Sequence, residues 1–156
     1  MKKEELDRVL LNLSKIEIGM SKIYENFSTR KNFTIPTKNF WENIAMEEQE
    51  HAQVFEDFRK RLSEDPYFTI TTTIDFSKLK DFTEKVNLQL KKIKGAEIRE
   101  TDAYSFGAKL EGELSEAEFI DHIHTNDKRM DARLKYLKNA LLKHNTIMYN
   151  YTKGIK

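Results

Sequence analysis

The stretch FWENIAMEEQEHAQVFEDF, residues 40–58, decides the fold. Its apolar residues Trp41, Ile44, Phe55 and Phe58 recur three and four apart, the spacing of one face of an amphipathic helix, and Glu48 and His51 fall on the same stripe. A carboxylate buried on an apolar face is costly unless it finds a partner. Glu48 and His51 stand three residues apart, so both side chains leave one helical turn and can reach one ion. Alone, such a Glu-x-x-His is more often a solvated face or a satisfied ion pair than a metal motif. The rest of the chain has to supply the other donors.

Working outward, this helix opens after the Thr34-Ile35-Pro36-Thr37 stretch, where proline is tolerated, and stops before Asp65-Pro66. Upstream, Leu6, Leu10, Leu13, Glu17, Met20, Tyr24 and Phe27 predict a helix from about Glu4 to Phe27. Downstream, Phe68, Ile70, Thr72 and Ile74 alternate as an extended segment does. About 12 residues at about 3.3 Å each span about 40 Å, the length of a long bundle helix. The spacing therefore predicts a crossover at about 64–76 that traverses the bundle, as in ferritin-like folds. A third helix is expected from about Ser77 to Glu111, weakened at Gly95, with Leu79, Val86, Leu90, Ile93, Glu97, Glu100 and Tyr104 on its stripe. Gly112 marks a turn. Ser115 and Glu118 are spaced as a capping box, with Leu114 as a staple, for a fourth helix carrying Ile120, Ile123, Asp127, Met130, Leu134, Leu137, Leu141 and His144.

The halves can be laid over one another. A shift of 80 residues carries Leu10, Leu13, Glu17, Met20 and Tyr24 onto Leu90, Ile93, Glu97, Glu100 and Tyr104; a shift of 79 carries Glu48 and His51 onto Asp127 and Met130. This register suggests an internal duplication and places an acid in the middle of each apolar face: Glu17, Glu48, Glu97 and Asp127, with Glu100 one turn beyond. Acids converging at one level of a bundle repel unless protons or cations neutralise them, and a pair of divalent ions does so best. Oxygen donors with imidazole suit iron or manganese, and zinc would also bind. On this reading Glu48 bridges two ions, Glu17 and His51 hold one, and Glu97, Asp127 and Glu100 hold the other.

These stretches, together with EIRETDAY (residues 97–104), resemble the rubrerythrin branch of the ferritin-like superfamily from about Glu4 to Lys143. The resemblance implies an all-α ferritin-like four-helix bundle, two antiparallel helix pairs joined by a long crossover, as one domain over residues 1–156. It implies a di-iron centre held by the first-helix Glu, the Glu-x-x-His pair and the third-helix glutamates. It also implies peroxide reduction or ferrous-iron oxidation, and tyrosines, here Tyr24 and Tyr104, packed beside the metals. The fourth helix of that family normally carries a second Glu-x-x-His. Here Asp127 and Met130 stand in its place, and a thioether is a weak ligand for hard iron.

Composition sets limits. With 27 basic and 26 acidic residues the net charge is +1, so no global field points to nucleic acid or an anionic membrane. The absence of cysteine removes disulfides, thiol nucleophiles and rubredoxin-type iron sites, so electrons would come from a separate donor. No signal-type or membrane-spanning apolar run is present, which predicts a cytoplasmic protein, and a dimer is expected for the fold. Among the remaining candidates, His122 and His124 are expected to be exposed and His144 to be a terminal core histidine. Glu111 ranks below Glu97 as the third-helix ligand, and Met20, Trp41 and Phe55 read as core, not as a redox relay. The rival to a peroxide, oxygen or ferrous-iron oxidoreductase is a non-catalytic bundle with a degenerate metal site.

Overall fold

The computed structural model describes residues 1–113 and 116–153, with backbone only at 116 and 117. Helices α1 (Lys3–Ser28) and α2 (Ile35–Glu64) form an antiparallel hairpin. Arg59 on α2 pairs with Asp7 near the start of α1 at 2.8 Å, while the Ser21 hydroxyl donates to the Ala45 carbonyl at 2.9 Å nearer the turn. The α1 face toward the interior is the expected stripe, with Leu10, Leu13, Glu17, Met20, Tyr24 and Phe27 all buried. Burial of such a face, rather than helix propensity, supplies most of the stability of a bundle helix.

The second helix pair is α4 (Glu100–Glu113) and α6 (Lys128–Thr152). Helix α6 lies antiparallel to α2: Arg133 reaches Asp57 at 2.8 Å near one end, and Tyr151 packs on Phe40 near the other, ring centroids 4.7 Å apart. Helix α4 runs alongside the first half of α2, where the Tyr104 hydroxyl donates to Thr37 Oγ1 at 3.2 Å. The molecule is an all-α ferritin-like bundle. Among the described residues, no helix is long and apolar enough to cross a membrane.

The connection between the pairs differs from the expected extended crossover. The alternating segment does form a strand, β1 (Ile70–Thr72), but β1 pairs antiparallel with β2 (Ile123–Thr125), Ile70 opposite Thr125 and Thr72 opposite Ile123. The strand thus stays at one end of the bundle. The traverse is made by α3 (Phe76–Lys94), whose 19 residues at about 1.5 Å each span about 28 Å. It lies parallel to α1: Thr83 donates to Asn12 Oδ1 at 3.2 Å, and Arg30, just past α1, donates to the Ile93 and Ala96 carbonyls at 2.6 and 2.7 Å. Gly95 is the C-cap of α3, as a glycine within a helical pattern can be. The third bundle helix therefore starts at Glu100, not Ser77.

The fourth stripe is divided as well. Its first residues fall in the short helix α5 (Glu116–Asp121) and in β2, and α6 begins only at Lys128. Asp127 is the N-cap, its carboxylate accepting from the Arg129 and Met130 backbone N–H groups at 2.8 and 3.2 Å, which satisfies donors a helix start leaves open. Gly112 lies inside α4; Leu114 and Ser115, the staple and capping residue, lie outside the described residues.

Where α4 crosses α2, Gly107 faces the Trp41 ring. A Cβ there would stand 2.7 Å from Trp41 Cη2 and 3.1 Å from Met148 Sδ. Gly107→Ala is expected to destabilise the fold by about 1–2 kcal/mol, overpacking outweighing the gain in helix propensity, in urea titrations followed by Trp41 fluorescence.

Candidate metal centre

Four helices send titratable side chains to one buried level. Helix α1 brings Glu17, α2 brings Glu48 and His51 from one turn, α4 brings Glu111, and α6 brings His144. Glu17, Glu48 and His144 are each 1% exposed, His51 5% and Glu111 8%. Groups this buried cannot be neutralised by water, so they must neutralise one another or hold a cation.

Glu48 is the centre of the group. Its Oε1 lies 2.7 Å from His144 Nδ1 and its Oε2 lies 3.2 Å from His51 Nδ1, so each carboxylate oxygen faces a different imidazole. The Glu17 carboxylate approaches His51 Nδ1 to 3.7 Å and also shares a hydrogen bond with Glu48. Ligand atoms of Glu48, His51 and His144 all lie within 4.8 Å of one another, a spacing that fits a metal ion. The Tyr24 hydroxyl donates to Glu111 Oε1 at 2.7 Å and orients that carboxylate from above. At the outer side His144 Nε2 meets Glu47, which is half exposed.

The electrostatics follow. Burial pushes the Glu48 carboxyl up, but hydrogen bonds from Glu17, His144 and His51 outweigh it and hold Glu48 well below the usual carboxylate range. Burial pushes His144 down, but the hydrogen bond and charge of Glu48, then the charge of Glu111 and the contact with Glu47, raise it to about 9. In the metal-free chain the His144 imidazolium therefore supplies the positive charge that the carboxylates require. A cleft of about 330 Å³ between α2 and α6 leads to this point from solvent; Glu47, Glu50, Val54, Lys143 and both imidazoles line it.

Glu17, Glu48, His51 and Tyr24 are thus brought together as expected, and four other expected residues are not. Glu97 is exposed in the 95–99 connection. Glu100 sits in the first turn of α4, its carboxylate accepting the Thr34 backbone N–H. Asp127 caps α6 and pairs with Arg61 at 2.6 Å, at the far end of α2. Tyr104 bonds to Thr37 rather than to a member of the cluster. The reason for Glu97 and Glu100 is that the 80-residue register lays α1 over α3, which belongs to the crossover, and over the connection that follows it. The 79-residue register likewise lays α2 over β2 and the start of α6, which puts Asp127 at the end of the bundle. Glu111 and His144 take the places assigned to Glu97 and Met130. A shift of 93 residues carries Glu48 and His51 onto Leu141 and His144, and a shift of 94 carries Glu17 onto Glu111. That register was available, but apolar stripes match at many offsets; only the chemistry-bearing residues discriminate. His122 and His124 are exposed, as expected.

Three carboxylates and two imidazoles from four helices of a bundle, with a Glu-x-x-His on α2, define the carboxylate–histidine class of ferritin-like proteins. The rubrerythrin family model matches residues 9–129, most of the chain, and the chain belongs to that family. No curated protein and no solved structure matches. The match ends at the first residues of α6, so the place of His144 rests on the geometry alone. The donor set fits hard or borderline divalent ions: oxygen and imidazole donors, buried, with cavity access on one side.

Proposed function

We propose that this chain is a non-haem di-iron or mixed-metal oxidoreductase acting on peroxide, oxygen or ferrous iron. The observation that carries this reading is the position of Glu48 between the two imidazoles, one carboxylate oxygen toward each. Glu17, Glu48 and His51 would hold one ion; Glu111, Glu48 and His144 would hold the other. Bound iron would supply a one-electron redox couple and Lewis acidity toward the small oxidant.

The chain's own groups have distinct tasks. Tyr24 holds the Glu111 carboxylate in place and keeps a phenolic proton beside the centre. Glu47 accepts from His144 Nε2, which leaves Nδ1 facing Glu48, the carboxylate–histidine arrangement that orients metal ligands. The cleft between α2 and α6, about 330 Å³, gives a small molecule a route to both imidazoles. No rubredoxin-type cysteines are present, so a separate donor would supply electrons.

One position favours the second reading, a non-catalytic bundle with a reduced site. Leu141 stands three residues before His144, where the second Glu-x-x-His would begin, and it is buried. Elemental analysis of anaerobically purified, iron-loaded protein separates the readings. Two transition-metal ions per chain, lost in Glu48→Ala, support the proposal; a single ion or none overturns it in favour of the non-catalytic bundle. Leu141→Glu adds the missing carboxylate and is expected to tighten binding of the ion on the His144 side by about tenfold or more, read by competition with a chelator.

A further inference from the structure

A continuous run of oxidisable rings leads from the acid–imidazole cluster to one end of the bundle. Tyr24, whose hydroxyl is on Glu111, stacks on Trp41 with centroids 5.1 Å apart and planes 26° from parallel. Trp41 meets Tyr104 at 5.3 Å. Tyr104 stacks on Tyr151 at 4.7 Å with planes 5° apart. Tyr24 and Trp41 are fully buried, whereas Tyr104 and Tyr151 are half-buried. Around them stand Phe27, Phe40 and Phe106, rings far harder to oxidise.

Packing alone would account for an aromatic core, but not for its order. Each ring in the series can carry a one-electron vacancy, each touches the next, and the inner terminus has a proton acceptor at 2.7 Å. Trp41 Nε1 has no hydrogen-bond acceptor among the described residues, although buried indole N–H groups usually find one. An indole in that state can pass an electron without committing its proton. Gly107 leaves the space in which the ring lies.

We propose that Tyr24, Trp41, Tyr104 and Tyr151 form a one-electron conduit between the buried cluster and the end of the bundle where α2 begins and α6 ends. With peroxide or dioxygen as the oxidant at the cluster, taken one electron at a time, one electron leaves Tyr24 and its phenolic proton crosses to the Glu111 carboxylate. Trp41 returns one electron to Tyr24, the proton comes back from Glu111, and Trp41 is left as a radical cation. The Tyr104–Tyr151 stack reduces Trp41, and the Tyr151 proton passes to water. An external one-electron reductant, such as a reduced iron–sulfur or flavin protein, then restores Tyr151 with one electron while water returns the proton. Net, one electron moves inward and no proton is consumed. Use of the conduit in catalysis rests on the redox reading above; its existence does not.

The test therefore uses the metal-free full chain, so that its outcome is independent of metal chemistry. Exposed Tyr67, Tyr136 and Tyr149 are first replaced by phenylalanine, and a photogenerated ruthenium(III) polypyridyl complex serves as the surface oxidant. Transient absorption should show a tryptophan radical that decays into a tyrosyl radical, and paramagnetic resonance should show the hydrogen-bonded signature of Tyr24. Trp41→Phe should slow arrival at Tyr24 by more than an order of magnitude, and Tyr24→Phe should leave the radical on the outer stack. Tyr151→Phe, at a half-buried ring that packs on the half-buried Phe40 and Tyr104, should lower the yield of buried radical with the melting curve preserved. Equal rates and signatures in the parent chain and Tyr151→Phe, or in the parent chain and a folded Trp41→Phe, would overturn the proposal.

Discussion

His144→Ala is expected to lower divalent-metal affinity by at least about 100-fold, while Asp127→Ala and Met130→His leave it unchanged within about twofold. The contrast separates the geometric assignment from the one based on repeat register. His144 Nδ1 stands 2.7 Å from Glu48 Oε1, inside the cluster. Asp127 is committed to the α6 N-cap and to Arg61, and Met130 lies one turn from it, at the end of the bundle far from the cluster. Loss of the imidazole removes a neutral nitrogen donor and leaves three carboxylates facing one histidine. Asp127→Ala should instead cost about 1 kcal/mol of stability through the lost cap, with no change in metal content. Isothermal titration with manganese or anaerobic ferrous iron reads the first effect and thermal melting the second. Equal affinity in His144→Ala would remove α6 from the site.

The same residues show what sequence can and cannot reveal about such a protein. Glu17, Glu48 and His51 were legible because each lies on a stripe whose partners are local in sequence, α1 against α2 across one short turn. Their burial follows from the period. The second half was not legible in the same way, because its register depends on which segment crosses the bundle. An extended strand and a helix can both bridge its length, and only the pairing of Ile70–Thr72 with Ile123–Thr125 fixes the strand at one end and leaves the traverse to α3. Amphipathicity does not distinguish α3 from a bundle helix, since α3 buries Leu79, Val86 and Ile93 against α1 at the same spacing. Asp127 is a further example: an acid at a stripe position is also what a helix N-cap requires, and the preceding Thr125-Asn126 pair is the turn signal that separates the two.

The metal-free chain should be most stable between about pH 4.5 and 6.5, and Glu48→Ala should remove this maximum along with about 3 kcal/mol of stability. His144 is raised from 6.5 to about 9 in the folded chain, so its contribution is fully present below 6.5 and fades as the pH climbs through about 9. Glu48 is held below its ordinary 4.5, so its contribution is present above 4.5 and is lost as the pH falls through its folded value. The two curves overlap where carboxylate and imidazolium coexist. Alanine at position 48 deletes the strongest of the groups that raise His144 and leaves only the charge of Glu111 and the contact with Glu47 against burial, so the histidine loses its proton nearer neutrality than in the parent chain. Urea unfolding at pH 6 and at pH 9, together with nuclear magnetic resonance titration of the His144 ring, checks both halves of the expectation. Bound divalent metal should invert the alkaline side of the profile in the parent chain: the ion replaces the His144 proton, so its uptake releases protons and its stabilisation grows as the pH rises from 6 toward 9. A parent chain whose metal-free stability is flat across that range would show that Glu48 and His144 are not paired as charges, and would leave the cluster without the internal cation that its three buried carboxylates demand.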